Sequence, residues 1–154
     1  MSDESTSAAP LRVGVVGMGI GQSHLLSWLE VPGADAVVFA ELDDAKRQQG
    51  ERDWGLPGVA SLDELLDAAA DPSSPHRVDV VDLCTPPSVH EDQVVRCLDA
   101  GLHVICEKPL VDSVAACDRI ATAVARAAAT SGARFMPILQ YRFGDGAARA
   151  RALI

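Results

Sequence analysis

Short, mostly apolar runs alternate along this chain with longer stretches in which apolar residues recur every three or four positions. The runs are LRVGVV (11–16), DAVVFA (35–40), VDVVDLC (78–84), LHVIC (102–106) and RFMPILQ (134–140). Each is too short for a stable helix, rich in β-branched residues and apolar at successive positions. That pattern predicts strands buried on both faces. Pro137 marks the last of them as an edge or irregular strand, because proline cannot donate to a ladder.

Between the runs the period changes. GQSHLLSWLEV (21–31) predicts a helix with Leu25, Leu26 and Leu29 on its apolar face. DDAKRQQGERDWG (43–55) predicts a polar helix with Asp43 as N-cap. Ser61 and Glu64 form a capping box that opens a third helix, ended by the loop DPSSPHR (71–77). SVHEDQVVRCLDAG (88–101) is stopped by Gly101, and an alanine-rich helix runs from an Asp112 cap to just before Gly132. GDGAARARALI (144–154) begins one more. Strands alternating with helices predict an α/β, doubly wound parallel sheet of the Rossmann dinucleotide-binding kind. Residues 1–10, small and acidic, are expected to be a disordered tail, and 11–154 one domain.

The turn after the first run is the first candidate for chemistry. In VGVVGMGIGQSH, Gly17 would make the tight turn, Gly19 would let backbone approach a phosphate, and Gly21 would let helix and strand pack closely. With Met18 and Ile20 between them they form the candidate pyrophosphate loop, at a helix start that offers free N–H groups to an anion. The usual spacing is G-x-G-x-x-G; here the third glycine comes one residue early and Gln22 occupies its place. Glu41 ends the second run about twenty residues past the turn, where a carboxylate receives the ribose hydroxyls of NAD and would repel the extra phosphate of NADP. Purely structural glycines and a surface carboxylate are the competing readings.

Bulk properties narrow the partners. Hydrophobic residues make up 48% and charged residues 23%, which is ordinary globular composition. A net charge of -9 argues against a nucleic-acid partner. Cys84, Cys97, Cys106 and Cys117 form no C-x-x-C pair, so reduced thiols in the cytoplasm and no metal site are expected. No apolar run approaches the roughly 20 residues of a membrane span.

VGVVGMGIGQSH, VDVVDLCTPPSVHEDQVVRCLDAGLHVICEKPL and MPILQYRF together resemble the Gfo/Idh/MocA oxidoreductases, named for glucose–fructose oxidoreductase and inositol dehydrogenase. The E-K-P tripeptide after an apolar strand, preceded by T-P-x-x-x-H, is the more specific part. The resemblance implies that Thr85, Pro86 and Pro87 form the turn passing the cofactor's ribose and nicotinamide side. It places His90 close to that ribose, Glu107 and Lys108 near the nicotinamide, and Arg142 facing the cofactor. Lys108 would be catalytic, orienting a substrate hydroxyl during hydride transfer; His24 and His103 are read as structural. Members of the family continue into a second α/β domain that supplies the substrate pocket and a catalytic histidine, and nothing here matches it. The chain is therefore expected to bind NAD, NADP less readily, and to act on a sugar, cyclitol or related polyol only when a substrate domain is supplied. A stand-alone NAD(H)-binding or regulatory module, and a degenerate Rossmann domain acting through protein contacts, are the alternatives. Self-association through the surface that would face the second domain is a further expectation.

Overall fold

The computed structural model describes residues 9–154. The predicted tail lies almost wholly outside them.

Six strands form one parallel sheet in the order β3-β2-β1-β4-β5-β6. They are β1 (Leu11–Val16), β2 (Ala34–Ala40), β3 (Gly58–Val59), β4 (Val80–Leu83), β5 (His103–Cys106) and β6 (Phe135–Pro137). The helices are α1 (Gly21–Trp28), α2 (Asp44–Trp54), α3 (Leu62–Ala70), α4 (Pro87–Asp99), α5 (Val114–Thr130) and α6 (Asp145–Ala152). The strand order reverses between β1 and β4, and this reversal opens a crevice at the carboxyl ends of the strands.

Each face of the sheet has its own core. On one, Val38, Leu65, Val81, Leu83, Val94, Leu98, Val104 and Ile120 pack α3, α4 and α5 onto the strands. On the other, Val13, Val15, Leu25, Phe39 and Val80 pack with Trp28 and Trp54 beneath α1 and α2. Strand side chains point alternately to the two sides, so β1 sends Val13 and Val15 one way and Val16 the other.

Several expectations need correction. Leu25 is fully buried, but Leu26 and Leu29 are about half exposed. The helix makes only two turns, and its inner stripe is Gly21, Leu25 and Trp28, spaced by four and three residues. The N-cap of α5 is Ser113, not Asp112; the Ser113 hydroxyl accepts the Ala116 N–H at 3.2 Å. The capping box at α3 is displaced by one residue. Ser61 Oγ accepts the Glu64 N–H as expected, but Glu64 Oε2 reaches back to the Ala60 N–H at 2.8 Å. β3 has only two residues, too few to leave a periodic pattern. Asp43 caps α2 as expected, accepting the Lys46 N–H at 3.0 Å.

Gly50, in α2, sits under the edge-to-face pair of Phe39 and Trp54, whose ring centroids are 5.1 Å apart. A Cβ at this position would lie 2.5 Å from Trp54 and 2.8 Å from Phe39. Gly50→Val is expected to cost about 1–3 kcal/mol through overpacking, read as a lower urea midpoint. An unchanged midpoint would mean that the aromatic pair is loosely held.

Candidate dinucleotide site

A cleft of about 480 Å³ opens where the strand order reverses, at the ends of β1, β2 and β4. Of the residues singled out from the sequence, Gly17, Met18, Gly19, Glu41, Thr85 and Pro86 line it. The sequence reading missed Leu42, Ala60, Ser61, Leu62 and Gln93, which complete the walls. Ser61 had been legible as a helix cap, and a cap at a strand end on the crevice side was the available clue.

The glycine turn explains itself atom by atom. Gly17 has φ +88, and a Cβ there would lie 2.9 Å from the Cys84 carbonyl oxygen. Its N–H donates to the Ala40 carbonyl at 2.9 Å, tying the turn to the end of β2. Gly21 begins α1, and a Cβ on it would meet the Cys84 Cβ at 3.1 Å and Val15 at 3.2 Å. It performs the close helix–strand packing of the third glycine, one residue early, because the helix itself starts there. Gln22 donates from Nε2 to the Met18 carbonyl at 2.9 Å and braces the turn from within. Gly19 differs from both: it is exposed, and nothing lies within 4 Å of where its Cβ would stand. Among the described residues no acceptor faces the N–H groups of Gly19 and Ile20, and α1 has no side-chain cap. Space beside Gly19 and unpaired N–H groups at a helix start fit an approaching anion.

Glu41 stands across the cleft. Its Oε2 accepts the Met18 N–H at 3.2 Å and its Oε1 the Asp43 N–H at 2.9 Å. The carboxylate is therefore held at the end of β2 with lone pairs left for ligand hydroxyls. Arg47 donates to the Glu41 carbonyl at 2.9 Å and pairs with Asp44.

Thr85 and Pro86 line the cleft, whereas Pro87, His90, Glu107, Lys108 and Arg142 do not. Pro86 caps α4 and Pro87 opens it, where a missing N–H costs nothing. The Thr85 hydroxyl donates to Gln93 Oε1. His90 is fully buried, with Nε2 2.7 Å from the Thr85 carbonyl and Nδ1 3.0 Å from that of Leu110. Its ring faces backbone rather than the cleft, and so fastens the loop after β4 to the loop after β5. Lys108 is exposed, follows β5 by two residues and precedes Pro109 through a cis peptide bond. Among the described residues no carboxylate lies within 4.0 Å of its ammonium group. Arg142 is exposed in a 3₁₀ turn (Gln140–Phe143), its guanidinium 5.6 Å from the Phe143 ring centre, and does not line the cleft.

Behind this edge lies a charge cluster that the sequence did not single out. Asp82, 1% exposed, accepts the Trp28 indole N–H at 2.8 Å and lies 3.0 Å from His24 Nδ1. His24 Nε2 is 3.3 Å from Glu107 Oε1. The hydrogen bond to Asp82 raises the His24 pKa above its ordinary value against the opposing effect of burial, with Glu107 adding to the rise. Cys84 Sγ is 3.2 Å from His24 Nδ1, and burial with the nearby Asp82 charge pushes its thiol far up. His24, Asp82 and Cys84 bring donor atoms within 4.8 Å of one another. The protonated thiol and the bonds already made to Asp82 disfavour a metal there. The four cysteines are unpaired, and no helix among the described residues is long and apolar enough to cross a membrane.

The comparisons agree with this geometry. The family described as "Oxidoreductase family, NAD-binding Rossmann fold" (GFO_IDH_MocA) matches residues 11–135. An inositol 2-dehydrogenase of Mycolicibacterium gilvum is 33% identical over 150 residues, covering 94% of this chain and 39% of that protein. A D-xylose 1-dehydrogenase (NADP(+)) of Haloferax volcanii is 32% identical over 94% of this chain and 42% of its own length. Among solved structures, GenD2 from gentamicin A biosynthesis, crystallised in complex with NAD, superposes with a TM-score of 0.80 at 26% identity, over 99% of this chain and 41% of that one. The chain thus spans about two-fifths of the length of these relatives. It belongs to the Gfo/Idh/MocA oxidoreductase family and contains that family's NAD-binding Rossmann domain.

Proposed function

We propose that this chain supplies the cofactor half of a dehydrogenase that moves hydride between a secondary alcohol of a cyclitol, sugar or related polyol and a nicotinamide dinucleotide. The observation that carries the reading is the cleft at the strand reversal, which holds the Glu41 carboxylate beside a turn with open space at Gly19 and, among the described residues, no acceptor for the N–H groups of Gly19 and Ile20. Pyrophosphate would rest on the turn and the start of α1, and the adenine ribose on Glu41. Bound NAD would supply the hydride acceptor. The polyol class is suggested by the inositol and xylose dehydrogenases among the relatives.

The residues of this chain bind and orient. The exposed, unpaired Lys108 would hold a substrate hydroxyl beside the nicotinamide, while His90 holds the Thr85 and Leu110 loops together beneath it. Arg142 would face the cofactor only with a shift of its turn. Proton transfer from the alcohol needs a base on the far side of the reacting carbon. We assign that base to a second domain, and residues 11–154 alone are expected to bind cofactor without appreciable turnover. Reduced thiols, three of them buried, suit the cytoplasm.

Calorimetric titration with NADH should give saturable one-to-one binding, with NADPH weaker. Gly19→Val should reduce NADH affinity at least about tenfold, ~1.4 kcal/mol, while leaving stability unchanged because the space there is empty. Absence of binding to either nucleotide would contradict the reading and favour a degenerate domain. Glu41→Gln should narrow the gap between NADH and NADPH; an unchanged ratio would assign selectivity elsewhere. Lys108→Met should leave the free energy of unfolding in urea within about 0.5 kcal/mol of wild type, and a larger loss would mean that the lysine is a structural residue.

A further inference from the structure

His24 does not line the cleft, yet both its ring nitrogens are engaged by acids. An ionised carboxylate can only accept hydrogen bonds. A ring that bonds Asp82 through Nδ1 and stands 3.3 Å from Glu107 through Nε2 satisfies both acids when it carries a proton on each nitrogen. The Trp28 N–H fixes the orientation of Asp82 from below, at the same oxygen that meets His24. Glu107 turns its other oxygen to the backbone N–H of Lys108 at 2.7 Å. A continuous path of hydrogen bonds and one ion-pair contact thus runs from Trp28 on α1, through Asp82 on β4, back to His24 on α1 and out to Glu107 and Lys108 beyond β5.

We propose that His24 is a positioning residue for Lys108: as an imidazolium bridging Asp82 and Glu107, it holds Glu107 in the orientation that binds the Lys108 N–H. The titratable groups that face it are Asp82 and Cys84 from β4 and its end, and Glu107 from the end of β5. When the ring gives up one proton, the shorter bond to buried Asp82 at 3.0 Å keeps the remaining one. The longer contact to the half-buried Glu107, at 3.3 Å, is released. Glu107 can then turn, and the lysine it anchors loses its fixed point. The functional meaning rests on the reading of Lys108 given above, but the coupling belongs to the folded chain and is testable without cofactor.

The test is an NMR titration of the ¹⁵N-labelled chain from about pH 5 to pH 9, across the range in which histidines change charge. It follows the His24 ring nitrogens and the Lys108 backbone amide together. The expected result is a His24 midpoint above its ordinary value, with the Lys108 amide shifting at that same midpoint. Glu107→Gln, a change at a partly exposed side chain, should lower the midpoint and abolish the Lys108 response. The stability gap between wild type and His24→Gln should also depend on pH. A raised folded-state pKa makes the contribution of His24 complete below the unfolded value and lost as pH rises through the folded one. A Lys108 amide that stays still while His24 titrates would overturn the proposal, as would a midpoint unmoved in Glu107→Gln. Loss of NADH binding with the coupling intact would instead count against the cofactor reading alone.

Discussion

The turn between β1 and α1 lies against the end of β4 at a distance that backbone permits and side chains do not. A Cβ on Gly17 would stand 2.9 Å from the Cys84 carbonyl oxygen, and one on Gly21 would stand 3.1 Å from the Cys84 Cβ. This approach brings the two central strands together at the point where the sheet reverses its order. It aims the start of α1 into the crevice and draws Met18 close enough for its N–H to meet Glu41. Widening it by a methyl group would move the loop, the helix start and the carboxylate out of register at once. Gly19, between the two, is the exception: nothing lies within 4 Å of where its Cβ would stand, so packing within the protein does not require a glycine there.

Around that contact the edge divides into two zones. The cleft itself is formed by the ends of β1, β2 and β4 and the start of α3. One strand further on, Lys108 is exposed beyond β5, and its backbone N–H meets Glu107, which adjoins a buried network of an acid, a histidine and an indole. His90 and His24 serve this second zone in different ways. His90 fastens loops through backbone carbonyls, whereas His24 works through charge. Neither ring lines the cleft.

Much of the scaffold was legible because burial on both faces leaves strands apolar at most positions, and because Asp43 and Ser61 announce their helices by hydrogen-bond chemistry. What escaped was short or three-dimensional. β3 has two residues, and Ser113 displaced Asp112 as a cap by one position. Leu26 and Leu29 fit an apolar stripe in a longer helix but fall outside one of two turns. At the site, the positions of Gly17, Gly19, Gly21 and Glu41 could be read because they depend on spacing along one βαβ unit. His24, Asp82 and Glu107 come from three elements, and only the sheet order places them together. The early third glycine looked like a flaw in the motif. It instead marks where the helix begins, with Gln22 returning its side chain to the loop.

The central claim is that the N–H groups at the start of α1 receive the pyrophosphate of a nicotinamide dinucleotide. Amide chemical-shift mapping of the ¹⁵N-labelled chain during titration with NADH tests it most directly. Saturable shifts concentrated at Gly17 to Gln22, with companion changes at Glu41 and Thr85, are the predicted result. Shifts confined to other surfaces, or none at saturating nucleotide, would contradict it.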